Sequence, residues 1–129
     1  MAGPLDGIRI LDLCTIYSGP ICASILGDQG ADVVKVESPA GDFMRTPAGV
    51  SRNGVGAAFA MMNRNKRGLG VNTKSDEGRA ALRRIIAQVD VFIENYRKGA
   101  MEHFGIGWEE MHEINPRLIY CSVSGFGRT

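Results

Sequence analysis

Apolar residues fall along this chain in short runs that alternate with stretches of helical spacing. Ile8, Ile10, Leu11, Leu13 and Cys14 make residues 8–14 mostly apolar, which predicts a buried strand. Ser18-Gly19-Pro20 is a turn signal. Ile21, Cys22, Ile25 and Leu26 then fall at helical spacing, and Gly30 is placed to close that helix. Residues 32–37, rich in valine, predict a second strand. A connection follows over residues 38–56, with two prolines and four glycines. A loop of that length in a small domain is usually functional or mobile. Residues 57–62 suit a short helix, and residues 68–72 a weak strand. Thr73 and Asp76 have the spacing of a capping box ahead of a helix that carries Leu82, Ile85, Ile86 and Val89 on one face. Asp90 breaks that helix, and residues 91–94 form another strand. Two short helices are expected over 99–105 and 108–114, stopped by Asn115-Pro116. Residues 118–123 are the last strand, ahead of Ser124-Gly125-Phe126-Gly127.

Apolar strands alternating with helices imply a sheet covered on both faces. The predicted fold class is therefore α/β: a Rossmann-like open, mainly parallel sheet with helices on both faces. Ligands of such sheets lie at the carboxyl ends of the strands. Here those ends are residues 15–19, 38–42, 72–74, 95–98 and 124–127.

Composition narrows the class. A chain of 129 residues, 44% hydrophobic and 22% charged, suits one globular domain. Its apolar runs fall far short of the roughly 20 residues that span a bilayer, so no membrane association is expected. The opening residues lack a basic segment followed by an apolar stretch, so no secretory signal is expected. Cys14, Cys22 and Cys121 show no Cys-x-x-Cys spacing and read as reduced thiols of a cytoplasmic protein, with no metal site. A net charge of +1 excludes a globally basic nucleic-acid binder. The charge is nonetheless uneven. Residues 43–74 hold six basic residues (Arg45, Arg52, Arg64, Lys66, Arg67, Lys74) and no acidic one. Such a segment suits either a compact anion or a solvated basic loop.

Several catalytic signatures are absent. The loop after the first strand is not Gly-x-Gly-x-x-Gly, which argues against an ordinary NAD dehydrogenase. There is no phosphate-binding Gly-x-x-x-x-Gly-Lys-Ser/Thr loop and no Gly-x-Ser-x-Gly elbow. His103 and His112 lie in separate segments and read as surface or helix-end residues. The stronger constellation joins Asn63-Arg64-Asn65-Lys66-Arg67, Asn72-Thr73-Lys74 and Glu94-Asn95-Tyr96-Arg97-Lys98. Lysine and arginine suit phosphates, and Tyr96 has the face to pack on a purine. A phosphorylated nucleotide along the strand ends is one reading. The other is structural: Asn65 and Asn95 tie loops together, and Tyr96 sits in the core.

The ordered motifs resemble one family. Pro4-Leu5-Asp6-Gly7-Ile8-Arg9-Ile10-Leu11-Asp12-Leu13, with Gly19-Pro20, is similar to the opening of the class III CoA-transferases, the CaiB/BaiF family. Gly30-Ala31-Asp32-Val33-Val34-Lys35-Val36-Glu37, Asn63-Arg64-Asn65-Lys66-Arg67 and Glu94-Asn95-Tyr96-Arg97 continue the resemblance, as do Asn115-Pro116-Arg117-Leu118-Ile119-Tyr120 and Ser124-Gly125-Phe126-Gly127. It implies a Rossmann-like CoA-binding portion over residues 1–129 and a homodimer of interlinked chains. Coenzyme A would serve as substrate and acyl carrier, passed from an acyl-CoA thioester to a carboxylic acid acceptor. An aspartate would attack the thioester to give a mixed anhydride, and the released thiolate would then give an aspartyl-CoA thioester.

By the same resemblance, Ile16, Tyr17 and Ser18 match the first CoA-contacting loop. Val71, Asn72, Thr73 and Lys74 match a second stretch, and Asn95, Tyr96 and Arg97 a third. Two positions depart from the pattern: Ser38 and His103 stand where arginine is expected. Both remove a fixed charge from the phosphate environment, for which Arg45, Lys66 or Arg67 would have to compensate. The resemblance also implies that the reacting aspartate lies beyond Thr129, together with a second domain and a returning C-terminal segment. Asp12, Asp32 and Asp90 read as structural. This chain by itself is thus expected to hold no catalytic residue and to show no turnover. The rivals are a 2-methylacyl-CoA racemase of the same family, a non-catalytic module for CoA or another adenine nucleotide, and an assembly fragment that folds only with a partner.

Overall fold

In the computed structural model, which describes residues 3–46 and 51–127, the chain begins its regular structure with β1 (Arg9–Asp12). Ile10, Leu11 and Asp12 are buried there. Helix α1 (Ser18–Asp28) follows and ends at a glycine, as expected. Gly30 has φ +101°, and the amides of Gly30 and Ala31 bond back to Gly27 O and Leu26 O. Next comes β2 (Asp32–Glu37), in register with β1 from Arg9 opposite Asp32 to Asp12 opposite Lys35.

The long connection is more structured than its composition suggests. It holds a 3₁₀ turn (Phe43–Arg45) and a small hairpin of β3 (Ser51–Arg52) and β4 (Val55–Gly56). Asn53 and Gly54 both have positive φ (53° and 78°), the two-residue turn that matches strand twist. Residues 47–50, with one of the two prolines, lie outside the described residues. Helix α2 (Ala57–Met62) and β5 (Lys66–Gly70) come next, then α3 (Asp76–Ile86) and β6 (Val91–Glu94). The chain continues through α4 (Ala100–His103), α5 (Trp108–Ile114) and β7 (Ile119–Ser122).

Two expectations shift. β5 starts at Lys66, before the expected Gly68, because both leading charges find acidic partners, Lys66 with Asp12 inside the fold and Arg67 with Asp32 at its surface. The N-cap of α3 is Ser75, and not Thr73: the Ser75 hydroxyl accepts from the Gly78 amide at 3.1 Å.

The five long strands are all parallel and lie in the order β5-β2-β1-β6-β7. The chain builds outward from β1 to β5, then returns to the other side of β1. One core face joins Leu11, Leu13 and Phe92 to Leu82 and Ile86 of α3, Met101 of α4 and Met111 of α5. The opposite face packs Ile10, Val33 and Ile93 against Ala23 of α1. The sheet is thus a Rossmann-like α/β layer with helices on both faces. Among the described residues, no helix is long and apolar enough to cross a membrane.

Candidate functional site

The strand order reverses between β1 and β6, and open α/β sheets offer their ligand crevice at the carboxyl side of that point. The loops after β1, β2, β5 and β6 meet there. Asn95 locks two of them together: its side-chain oxygen accepts from the Thr15 amide at 2.9 Å, and its side-chain nitrogen donates to Thr15 O at 2.8 Å. The structural reading therefore holds for Asn95, whose amide group is already engaged. It holds for Asn65 too, whose side chain donates to Asp28.

Between these anchors, Ile16 adopts φ +69°, a conformation costly for a β-branched residue, roughly 1–3 kcal/mol. Such strain persists only where the surroundings enforce it. Ile16 and Tyr17 are about half exposed, and Ser18 opens α1. No side chain caps this helix, and its first turn has no acidic residue. The backbone donors and the dipole at that end favour an anion.

After β5, Val71 is buried and donates its amide to Glu37 O, while the Asn72 side chain accepts from the Lys74 amide. After β6, the Tyr96 amide donates to the buried Glu94 carboxylate at 2.7 Å. The Tyr96 ring meets Phe104 edge-on, and burial pushes its hydroxyl above the usual value. Thr73 and Tyr96 line a cleft of about 60 Å³ with Leu13, Thr15 and Ser38. That volume is far below the several hundred Å³ of an enclosing ligand pocket. A more open groove of about 350 Å³ lies at the same end, lined by Ser38, Pro39, Arg45 and Gly70. Two grooves of about 330 Å³ lie elsewhere, lined by Arg9 and Gln88 toward the amino ends of the strands.

The basic segment reads differently in three dimensions. Arg45 binds Glu37 with two hydrogen bonds (2.6 and 2.7 Å) and lies 3.9 Å over the Phe59 ring. Arg64 pairs with Asp28, Lys66 with Asp12 and Arg67 with Asp32. Four of the six cations are thus already paired with acidic side chains, Lys66 inside the fold and the three arginines at its surface. Arg67 sits by Asp32 at the amino end of β2, and the Lys66 side chain is buried, so neither replaces the charge missing at Ser38 or His103. Lys74 and Arg97 make no ion pair among the described residues.

The Glu37 carboxyl is held below its usual value of 4.5, chiefly by hydrogen bonds from Arg45 and against the opposing effect of burial. A depressed folded value contributes stability above the unfolded value and loses it as pH falls through the folded one. Arg45→Gln is expected to be less stable than the parent at neutral pH. The gap should narrow below about pH 4.5 in urea unfolding. A gap that is constant with pH would remove Glu37 as its source.

The three aspartates at strand boundaries are each engaged, Asp12 at the carboxyl end of β1 and Asp32 and Asp90 at the amino ends of β2 and β6. Asp12 pairs with Lys66, Asp32 with Arg67, and Asp90 accepts the Arg9 amide at 2.8 Å. Burial holds the Cys14 thiol far above the ordinary range, so it stays protonated and is no nucleophile. Among the described residues, no group of three or more His, Cys, Asp or Glu suits a metal ion. Sequence reasoning missed two contributors, Lys35 and Asp42, which pair in the interior beside the first loop. Their signal was a charge inside an otherwise apolar strand, or just after one.

The model of CoA-transferase family III matches residues 5–129. A succinyl-CoA:mesaconate CoA-transferase of Haloarcula marismortui is 46% identical over 129 residues, covering 97% of this chain and 33% of the relative. A formyl-CoA:oxalate CoA-transferase of Escherichia coli is 42% identical, covering 98% and 30%. The structure of a CaiB/BaiF family protein from Brucella suis superposes with a TM-score of 0.94 at 42% identity, covering 100% of this chain and 35% of that one. The chain spans about a third of the length of these relatives. It belongs to CoA-transferase family III.

Proposed function

We propose that this member of CoA-transferase family III supplies, in residues 1–129, the CoA-binding portion of an enzyme that moves CoA from an acyl-CoA thioester to a carboxylic acid. The observation that carries this reading is the convergence of three loops at the point where strand order reverses. Ile16, Tyr17 and Ser18 come from the first loop, Val71, Asn72, Thr73 and Lys74 from the second, and Asn95, Tyr96 and Arg97 from the third. The uncapped start of α1, with Lys74 and Arg97, which pair with no acid among the described residues, would supply donors and charge for phosphates. Asn95 contributes by holding the first and third loops in register. The two named relatives are transferases, which supports transfer over racemisation.

The family resemblance assigns the covalent step to an aspartate outside these residues; Asp12 and Asp42, the aspartates nearest the loops, are each paired with a buried lysine, in keeping with that reading. An aspartyl-CoA intermediate belongs to that larger assembly, as does a homodimer. The chain alone should exchange no acyl groups.

Calorimetric titration with CoA, with NAD as control, tests the reading. Saturable CoA binding without NAD binding is the expected result. Lys74→Ala and Arg97→Ala should each weaken it about two- to fivefold, the range of exposed charge contacts. A folded chain that takes up no CoA would overturn the assignment.

A further inference from the structure

The first loop is held from beneath by a buried cation that no binding role uses. Lys66 starts β5, two strands away from β1, and its side chain is 1% exposed. Its Nζ meets three acceptors: Asp12 Oδ2 at 2.8 Å, Pro20 O at 2.8 Å and Asn63 Oδ1 at 3.0 Å. An ammonium has three hydrogens, so the group is fully satisfied. Asp12 closes β1, and its other oxygen accepts from the Cys14 amide at 2.9 Å. Pro20 lies in the first turn of α1. Lys66 thus grips both ends of the segment that carries Ile16, Tyr17 and Ser18. Lys35 adds a second hold, donating to Cys14 O at 2.8 Å.

We propose that Lys66 is a positioning residue: it fixes the entry and exit of the β1–α1 loop and so keeps the strained Ile16 segment ready for its ligand. The inference rests on the reading of that loop as a CoA contact. It adds a residue that touches no ligand and acts through Asp12 and Pro20. A loop competent only about a tenth of the time would bind about tenfold more weakly. The same opening would speed exchange of the amides it protects by at least that factor, since the parent loop is mostly closed.

The test is the double variant Asp12→Asn/Lys66→Met, which removes both charges together and keeps an acceptor for the Cys14 amide. Hydrogen exchange is read at the Thr15 and Ile21 amides, which donate to Asn95 and to Tyr17 O. Both should exchange at least about tenfold faster while the amides of β1 and β6 keep their protection. CoA affinity should fall about tenfold. Val91→Ala, at the amino end of β6 and away from the loops, serves as a destabilised control and should leave affinity unchanged. Unchanged exchange at Thr15 and Ile21 in the folded double variant overturns the proposal, whatever CoA does. Faster exchange in a chain whose parent never binds CoA keeps the positioning role and removes the CoA reading instead. If the double variant does not fold, Lys66→Arg answers the same question. It keeps the charge opposite Asp12, but its planar fork cannot meet three converging acceptors.

Discussion

Replacing Lys35 by methionine is expected to lower the stability of the fold by about 3–5 kcal/mol. The side chain is 2% exposed and lies in β2 among valines. Its Nζ pairs with Asp42 Oδ2 at 3.0 Å and donates to Cys14 O at 2.8 Å. Methionine nearly matches the volume, so packing is not the cause of the loss. The loss comes from Asp42, whose side chain is 1% exposed and would keep a buried charge without its cation. A loss of that size lowers the unfolding midpoint of a chain this long by roughly 10–20 °C. The double variant Lys35→Met/Asp42→Asn separates charge from packing. Asparagine removes the charge and keeps the acceptor for the Met44 amide. It should regain at least about half of the lost stability, since exchanging a whole buried pair is often neutral. Urea unfolding of the two variants decides the matter. A single variant within about 1 kcal/mol of the parent would show that water already reaches the pair.

The parallel strands were legible because both of their faces are covered. β1, β2, β6 and β7 are short apolar runs bounded by turn residues, and all four lie at or within a residue or two of their expected positions. β5 was harder to see. It is an edge strand that opens with Lys66 and Arg67, and a charged start does not look like a strand until its partners are known. The hairpin at Asn53-Gly54 carried a usable signal in that dipeptide, but two-residue strands are too short to show alternation.

The binding loops were legible as strand ends, and the basic segment misled for a definite reason. Counting charge within a window captures only neighbours in sequence. The acids that neutralise this segment lie outside it: Asp12 is 54 residues from Lys66, Asp28 is 36 from Arg64, and Asp32 is 35 from Arg67. The parallel sheet brings them together, since β5 lies beside β2 and β2 beside β1. The same long-range pairing turns Lys66 from an apparent anion ligand into an internal support of the first loop. Charge in a parallel α/β sheet is therefore best weighed after strand order is known.

Gly78→Ala sets two local rules against each other. Gly78 stands in the first turn of α3, where alanine is a better helix former by about 1 kcal/mol. Propensity alone thus predicts a stabilised protein. The loop before the helix predicts the reverse. Residues 71–74 fold back over the helix start, and Asn72 O accepts from the Ser75 amide at 3.1 Å. A Cβ on residue 78 would lie 1.9 Å from that same oxygen. The obstacle is backbone, so no rotamer change relieves it, and either the helix or the loop must move by more than an ångström. Overpacking of this kind costs about 1–3 kcal/mol, and here the loop's hydrogen bonds to Ser75 would be lost as well. The clash should win, with a net loss of about 2 kcal/mol. Moving the loop also moves Val71, Asn72, Thr73 and Lys74. CoA affinity should therefore fall about tenfold even in the fraction that stays folded. Thermal unfolding and CoA titration of one sample read both effects. A stabilised alanine variant with unchanged CoA affinity would mean that the loop does not lie against the helix in solution.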